Sequence, residues 1–233
     1  MGATFIGVDL AWRGDRNHTG IVVTRGDEDG ARLVSYSVGI TSILSAAHFV
    51  AEHATHDTVV AIDAPLIMRN ASGQRPCETM VGRRFGRFHA SCHTSNLTLY
   101  PDPASVRFVD RLQTLGFRHD LDLANAKLRN GRWLFEVYPH PAHVMLFGLE
   151  RIIKYKKGAR TQKLDGLKEL QRHLQSLYGG SPSLIATPEL IALFGRDVDE
   201  LRGSHIKHYE DILDALFCSY LAMHCSAMGF RKE

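Results

Sequence analysis

Short apolar runs separated by turn-rich segments dominate the first 40 residues. The run T-F-I-G-V-D-L at 4–10 is β-branched and apolar, as in a buried strand. Two similar runs at 19–24 and 31–38 flank the turn R-G-D-E-D-G at 25–30. We therefore predict an antiparallel meander of three strands at the start of the chain.

The pattern then changes to alternating helices and strands. Ser42 is placed to cap a helix that runs to about residue 53, and the apolar run T-V-V-A-I-D follows at 58–63. Because this fourth strand comes after a helix, a right-handed crossover predicts that it lies parallel to the first. A fifth strand, W-L-F-E-V-Y at 133–138, is ended by Pro139. Further helices are predicted near 104–115, 142–149, 162–178, 188–194 and 207–228.

These elements predict an α/β fold, in which a mixed five-stranded sheet of three antiparallel and two parallel strands carries helices on both faces. We expect residues 1–233 to form a single domain with an irregular insertion at about 64–104. This insertion gathers Gly, Pro, Arg, His and Ser around one short helix near 77–85. In such sheets, ligands bind beyond the carboxyl ends of the parallel strands, and the functional side chains are expected there.

Composition and charge narrow the functional classes only slightly. The 233 residues are 44% apolar and 23% charged, which is typical of a globular protein and excludes disorder, collagen and coiled coil. The net charge of +3 is too mild to establish a nucleic-acid partner, and it leaves an anionic substrate open. Four cysteines without C-x-x-C spacing, no signal-like leader and no apolar run of about 18 residues predict a cytoplasmic protein without a membrane span.

Acidic residues interrupt or end the predicted buried elements. Asp9 lies in the first strand and Asp63 ends the fourth, yet either one taken alone can be a turn or capping residue. Asp211 and Asp214 are three residues apart on the last helix and share one face, although acids also favour the positive end of a helix dipole. Glu136 is a charge within the fifth strand, where an arginine can neutralise it instead.

Convergence of these acids is the functional hypothesis. Asp9, Asp63 and the Asp211/Asp214 pair can meet although they are far apart in sequence, and like charges at close range repel unless cations hold them. Their hard oxygens suit Mg²⁺ or Mn²⁺. Two such ions about 3.5–4 Å apart would activate water and stabilise the leaving oxygen in phosphodiester hydrolysis. We predict the four aspartates as metal ligands and, with Glu136 adjoining, as the catalytic residues.

The assembled motifs resemble those of a known family. They are G-V-D-L-A-W at 7–12, I-D-A-P at 62–65, P-C-E-x-x-x-G-R-R-F-G-R at 76–87, E-V-Y-P-H-P-A at 136–142, K-Y-K-K at 154–157 and D-x-x-D-A at 211–215. In this order they are similar to the domain of unknown function family 429, described as predicted nucleases of the ribonuclease H-like fold. The resemblance implies that Asp9 and Asp63 take the strand positions of the fold's metal-binding acids. It also implies that Asp211 and Asp214 correspond to the acid pair on the last helix of Holliday-junction resolvases, while Glu136 belongs to the E-V-Y-P motif.

Two basic stretches with interleaved aromatic residues are predicted to contact a nucleic-acid substrate, because cations track phosphates and aromatic rings stack on bases. A solvated surface is the alternative. The predicted substrate-binding residues are Arg83, Arg84, Arg87, Lys154, Lys156 and Lys157.

Two other functional classes stay open from the sequence. One is a member of the fold that binds nucleic acid or protein without catalysis and keeps its carboxylates paired with arginines. The other is an ATP- or phosphate-binding protein of the actin and sugar-kinase architecture, a class that usually has two such domains. A homodimer is expected because closed twofold assemblies are the commonest.

Overall fold

The computed structural model describes residues 2–12, 18–119 and 130–229. Its strands are β1 (Ala3–Asp9), β2 (Thr19–Gly26), β3 (Gly30–Ile40), β4 (Thr58–Asp63), β5 (Arg132–Val137) and β6 (Ser183–Ile185). Its helices are α1 (Ile43–His53), α2 (Pro76–Phe85), α3 (Ala104–Thr114), α4 (Pro139–Phe147), α5 (Arg160–Ser176), α6 (Pro188–Phe194) and α7 (Ser204–Met228). Single 3₁₀ turns lie at Gly86–Phe88, Leu177–Gly179 and Val198–Glu200.

The strands form one mixed sheet in the order β5-β4-β1-β2-β3-β6. β1, β2 and β3 pair antiparallel, and β4 and β5 continue the sheet in parallel on the other side of β1. The predicted meander and the two predicted parallel strands are confirmed. The predicted total of five strands is wrong, because β6 adds three residues in parallel to the start of β3. So short a strand shows no alternating pattern in the sequence.

Helices cover both faces of the sheet, as predicted. Because side chains alternate along a strand, Phe5 faces one apolar layer and its neighbour Ile6 faces the other. The layer around Phe5 is packed by α5, α6 and α7, whereas the layer around Ile6 is packed by α1 and α3. Within the described ranges, no helix is both long and apolar enough to cross a membrane.

Two helix starts show how local chemistry sets the element boundaries. The Ser42 hydroxyl accepts a hydrogen bond of 3.4 Å from the Ser45 backbone N–H, so Ser42 caps α1 as predicted. α4 begins at Pro139, three residues before the predicted start at 142. Proline ends β5 because it lacks an N–H, and the same property suits it to the first position of a helix.

The long helix α7 packs against β1 and β2 with its backbone almost touching the strands. A Cβ atom at Gly7 would lie 1.9 Å from the carbonyl oxygen of Ala215 and 2.1 Å from the backbone nitrogen of Ser219. The Ser219 hydroxyl donates a 3.0 Å hydrogen bond to the Phe5 carbonyl and lies 2.9 Å from the hydroxyl of Thr24. This close contact brings the acidic part of α7 to the carboxyl end of β1.

Candidate active site

Two aspartates stand side by side at the carboxyl ends of the central parallel strands. Asp9 is the last residue of β1, Asp63 is the last residue of β4, and the two are register partners. Their side chains therefore leave the same face of the sheet. Both are partly exposed and line a cavity of about 290 Å³. Within the described part of the chain, neither forms an ion pair.

Asp214 on α7 is fully buried beneath this cavity and has both oxygens occupied. The Tyr155 hydroxyl donates to Oδ1 over 2.7 Å, and Lys156 Nζ lies 2.9 Å from Oδ2. Burial alone would raise the pKa of Asp214, but the Lys156 charge and the Tyr155 hydroxyl hold it below its ordinary value. Tyr155 and Lys156 belong to the segment between α4 and α5, which thereby fastens onto α7.

Asp211 lies one helical turn earlier and is only partly neutralised. Lys207 Nζ lies 2.6 Å from its Oδ1, and the same ammonium group donates to Glu210 over 2.7 Å. Asp211 has no accessible surface, and its Oδ2 atom has no hydrogen-bond partner among the described residues. Its carboxyl group lies in contact with that of Asp9. Two carboxylates in contact need a proton or a cation between them.

Burial and mutual repulsion oppose full ionisation of this cluster. Burial is the largest cause that raises the pKa of Asp63, to about 8, and the charges of Asp9 and Asp214 add to it. Burial likewise raises the pKa of Asp211 to about 8, with a further contribution from Asp9. The pKa of Asp9 is also raised by burial, although Lys156 opposes the shift. The cluster therefore favours the binding of additional positive charge, either as protons or as a cation.

Glu136 on β5 is neutralised by an arginine, which is the alternative that the sequence left open. Arg75 Nη1 and Nη2 donate to its two oxygens over 2.9 and 2.6 Å, and the Leu66 backbone N–H donates to Oε2 over 2.9 Å. Arg75 Nε also donates to Glu78 over 2.8 Å, and Ser95 donates to Glu78 from its hydroxyl and its backbone. Glu136 lines the cavity, but its charge orders the 64–104 segment.

The predicted basic residues separate into two groups. Lys156 and Lys157 line the cavity beside the aspartates. Lys154 is exposed and is not among the described residues that line the cavity. The arginines at 83, 84 and 87 lie on α2 and the following 3₁₀ turn, also outside the described lining, and the Arg87 guanidinium lies 4.6 Å from the centre of the Phe88 ring.

The carboxylates at the strand ends fit a site for one hard cation better than a site in which all four aspartates bind metal. Among the described residues, no group of three or more His, Cys, Asp or Glu side chains is arranged to hold a metal ion. Lys156 and Lys207 explain this, because their ammonium groups already neutralise Asp214 and part of Asp211. Asp9 and Asp63 have carboxylate oxygens facing the cavity, a donor set that Mg²⁺ or Mn²⁺ completes with water.

Four residues of this site were not among the site residues predicted from the sequence: Arg75, His140, Tyr155 and Lys207. The spacing of Lys207 to Asp211 by four residues was a usable signal, because such pairs meet on a helix face. No local signal marks the contact of Arg75 with Glu136 or that of Tyr155 with Asp214, since these partners are 61 and 59 residues apart. His140 lines the cavity, where burial and the charge of Lys156 lower its pKa to about 4.

Comparison with known proteins gives a family without an assigned activity. The family model described as "Protein of unknown function (DUF429)" matches residues 7–229, which includes every acidic residue of the cluster. Among curated proteins, none matches the sequence.

Proposed function

The chain belongs to the protein family described as Protein of unknown function (DUF429), and we propose that it is a metal-dependent phosphodiesterase that cleaves nucleic acid. The proposal keeps the cytoplasmic location and the ribonuclease H-like fold expected from the sequence. In support of that fold, the order β3-β2-β1-β4-β5 continues an antiparallel meander into two parallel strands.

The observation that carries the proposal is the pair Asp9 and Asp63. They are adjacent at the carboxyl ends of parallel strands, they face a cavity, and no basic side chain of the described residues pairs with them. Because burial and repulsion penalise their ionised form, a divalent cation that binds them relieves both costs. Ion pairs such as Lys168 with Asp199 lie on the surface, where water solvates both charges, so they carry no comparable cost of burial.

The residues of the cavity then have distinct roles. Asp9 and Asp63 would hold the cation, and Asp211, which is buried and contacts Asp9, would help to position that carboxylate. The cation, when bound, lowers the pKa of water and stabilises charge on a phosphoryl oxygen. Lys157 at the cavity wall would attract the phosphate backbone, and the exposed Arg83 and Arg84 of α2 would contact it outside the cavity.

The overall reaction consumes one water molecule for each bond cleaved. The water oxygen forms a bond to phosphorus, and the bond between phosphorus and one ester oxygen breaks with its electron pair on that oxygen. The ester oxygen gains a proton and leaves as an alcohol, and the other product is a phosphomonoester. The protein would contribute to this reaction by positioning the water and by stabilising the negative charge that develops.

A function in binding without catalysis is the second candidate. The observation that favours it is that Glu136 and Asp214 are both neutralised by basic side chains. Such a protein would bind nucleic acid through its basic residues with a steep dependence on salt concentration. It would show no turnover with any divalent ion.

Cleavage assays with single-stranded, duplex, hybrid and branched nucleic acids in Mg²⁺ or Mn²⁺ separate these functions. We expect wild-type protein to cleave at least one substrate, and the double variant Asp9→Asn, Asp63→Asn to be at least about 100-fold slower. The double variant Asp165→Asn, Asp199→Asn is the matched control, because both acids are exposed on the surface. Equal rates for the Asp9/Asp63 variant and wild type would refute the proposed catalysis.

A further inference from the structure

Lys156 is a partly buried cation that lines the same cavity as Asp9 and Asp63. Its side chain is 30% exposed, whereas that of its partner Asp214 has no accessible surface. The preceding residue, Tyr155, is fully buried and takes the other oxygen of Asp214. The ammonium group is therefore fixed from below by Asp214 and open to the cavity above.

The acids of the cluster that no described lysine pairs with carry enough negative charge to balance one divalent ion. Asp214 is neutralised by Lys156, and Asp211 shares the charge of Lys207 with Glu210. Asp9 and Asp63 are the acids of the cluster that no described basic side chain pairs with. A second divalent ion near Asp214 would meet the repulsion of an ammonium group 2.9 Å from that carboxylate.

We propose that the ammonium group of Lys156 takes the place of a second divalent ion, so that the chain binds a single ion at Asp9 and Asp63. This inference rests on the proposed phosphodiesterase function and departs from the two-ion site expected from the sequence. Lys156 is then a catalytic residue that contacts the phosphate, and Asp214 holds it in position.

The chemistry of the ammonium group suits this role. It is a compact charge with three N–H donors, so a contact with Asp214 leaves donors for phosphate oxygens. When water bonds to phosphorus and the ester bond breaks, negative charge grows on the leaving oxygen. Lys156 stabilises that charge, and the leaving oxygen takes up a proton as it departs as an alcohol. The charge of Lys156 is already in place before substrate binds.

Counting bound ions tests the inference without relying on activity. Mn²⁺ titration followed by electron paramagnetic resonance gives the number of ions for each chain. We expect one ion for wild type, and in Lys156→Met the ion at Asp9 and Asp63 should bind no more weakly, because a repelling charge has been removed. In the cleavage assay, Lys156→Met should lose at least about 100-fold in kcat, as expected when a preorganised donor is removed.

The matched control is Lys168→Met, which removes a lysine that pairs with Asp199 on the surface at 2.6 Å. It should retain the ion count and kcat of wild type. Because Lys156→Met leaves Asp214 buried without its counter-charge, the double variant Lys156→Met, Asp214→Asn is also measured. The amide oxygen of the introduced asparagine can still accept a hydrogen bond from the Tyr155 hydroxyl. This variant should bind one ion and show the same loss in kcat.

The outcomes separate the two proposals. Two Mn²⁺ ions bound to wild type, or wild-type kcat in the folded double variant, would overturn the role of Lys156 and leave the phosphodiesterase proposal intact. No Mn²⁺ bound to wild type and no cleavage would overturn the phosphodiesterase proposal itself. One ion in wild type with loss of kcat in both Lys156 variants supports the inference.

Discussion

His143 is a buried histidine that the protein keeps uncharged. The residue is 1% exposed, its ring centre lies 4.1 Å from that of Phe217, and neither ring nitrogen has a hydrogen-bond partner among the described residues. Burial lowers its pKa to about 3, against an ordinary value of 6.5. Between these values the unfolded chain binds a proton that the folded chain excludes, so stability decreases as the pH falls below 6.5.

Replacement of His143 by leucine should remove part of the acid sensitivity of the fold. Each pH unit below about 6.5 costs up to about 1.4 kcal/mol at a single such histidine. We expect His143→Leu to lose about 2 kcal/mol less than wild type between about pH 6.5 and about pH 5, by the same relation. Urea denaturation at several pH values measures this. His48→Leu, at an exposed histidine, is the control, and an unchanged pH slope for His143→Leu would contradict the assignment.

At the scale of elements, the packing of α7 on the sheet determines where the acids lie. The Gly7 position on β1 admits the α7 backbone, and Ser219 ties the helix to the Phe5 carbonyl. Asp211 lies on α7 one turn before Ala215, and it packs against the end of β1. The distance between helix and strand is thus a condition for the site.

An alanine at Gly7 should therefore be strongly destabilising. Its Cβ atom would lie 1.9 Å from the Ala215 carbonyl oxygen, which is a backbone atom and cannot rotate away. We expect Gly7→Ala to lower the free energy of unfolding by at least about 3 kcal/mol through overpacking. Gly179→Ala is the control, since a Cβ atom there meets nothing within 4 Å. Chemical denaturation compares the two, and a Gly7→Ala loss below about 1 kcal/mol, the low end of overpacking costs, would argue against the contact.

Local patterns in the sequence were sufficient for most elements. The apolar run at Thr58–Asp63 and the N-cap at Ser42 act over a few residues, so both were predicted at their observed positions. β6 was missed because its three residues depend on pairing with the strand that begins at Gly30, far away in sequence. The start of α4 was placed late because Pro139 was interpreted as a strand end alone.

The candidate site shows the same division between local and distant information. Asp9 interrupts one apolar run and Asp63 ends another, and their adjacency follows from parallel pairing. That Lys156 would lie against Asp214, and Arg75 against Glu136, depends on tertiary packing that no spacing encodes. Sequence patterns locate acids, whereas the packed structure determines which of them remain free.

At the scale of the molecule, Arg75 connects the segment 64–104 to the edge of the sheet. Its side chain is 11% exposed and binds Glu78 within that segment and Glu136 on β5. The Ile67 carbonyl accepts a further hydrogen bond from Nη1 over 3.2 Å. One side chain thus connects Glu78 and Glu136, two residues of the cavity wall, with the backbone of Ile67.

Loss of Arg75 should release this segment. Arg75→Met leaves Glu78 and Glu136 without their counter-charge, which costs about 3 kcal/mol for a buried pair. We expect chymotrypsin to cleave the variant faster within 64–104 under native conditions, with the sheet still folded by circular dichroism. Arg83→Met, at an exposed arginine of α2 that forms no such clamp with the described residues, should be cleaved like wild type. Identical digestion of Arg75→Met and wild type would contradict a clamping role.

The hydrogen bond between Ser219 and Phe5 joins residues 214 positions apart in the chain. On the ribosome, β1 to β5 are made long before α7 emerges, and each can pair as soon as it is released. Asp9 and Asp63 come close to Asp211 and Asp214 only when α7 docks on the sheet. A nascent chain therefore carries an incomplete acidic cluster until α7 has docked, and under the proposed function its activity would begin only at that point.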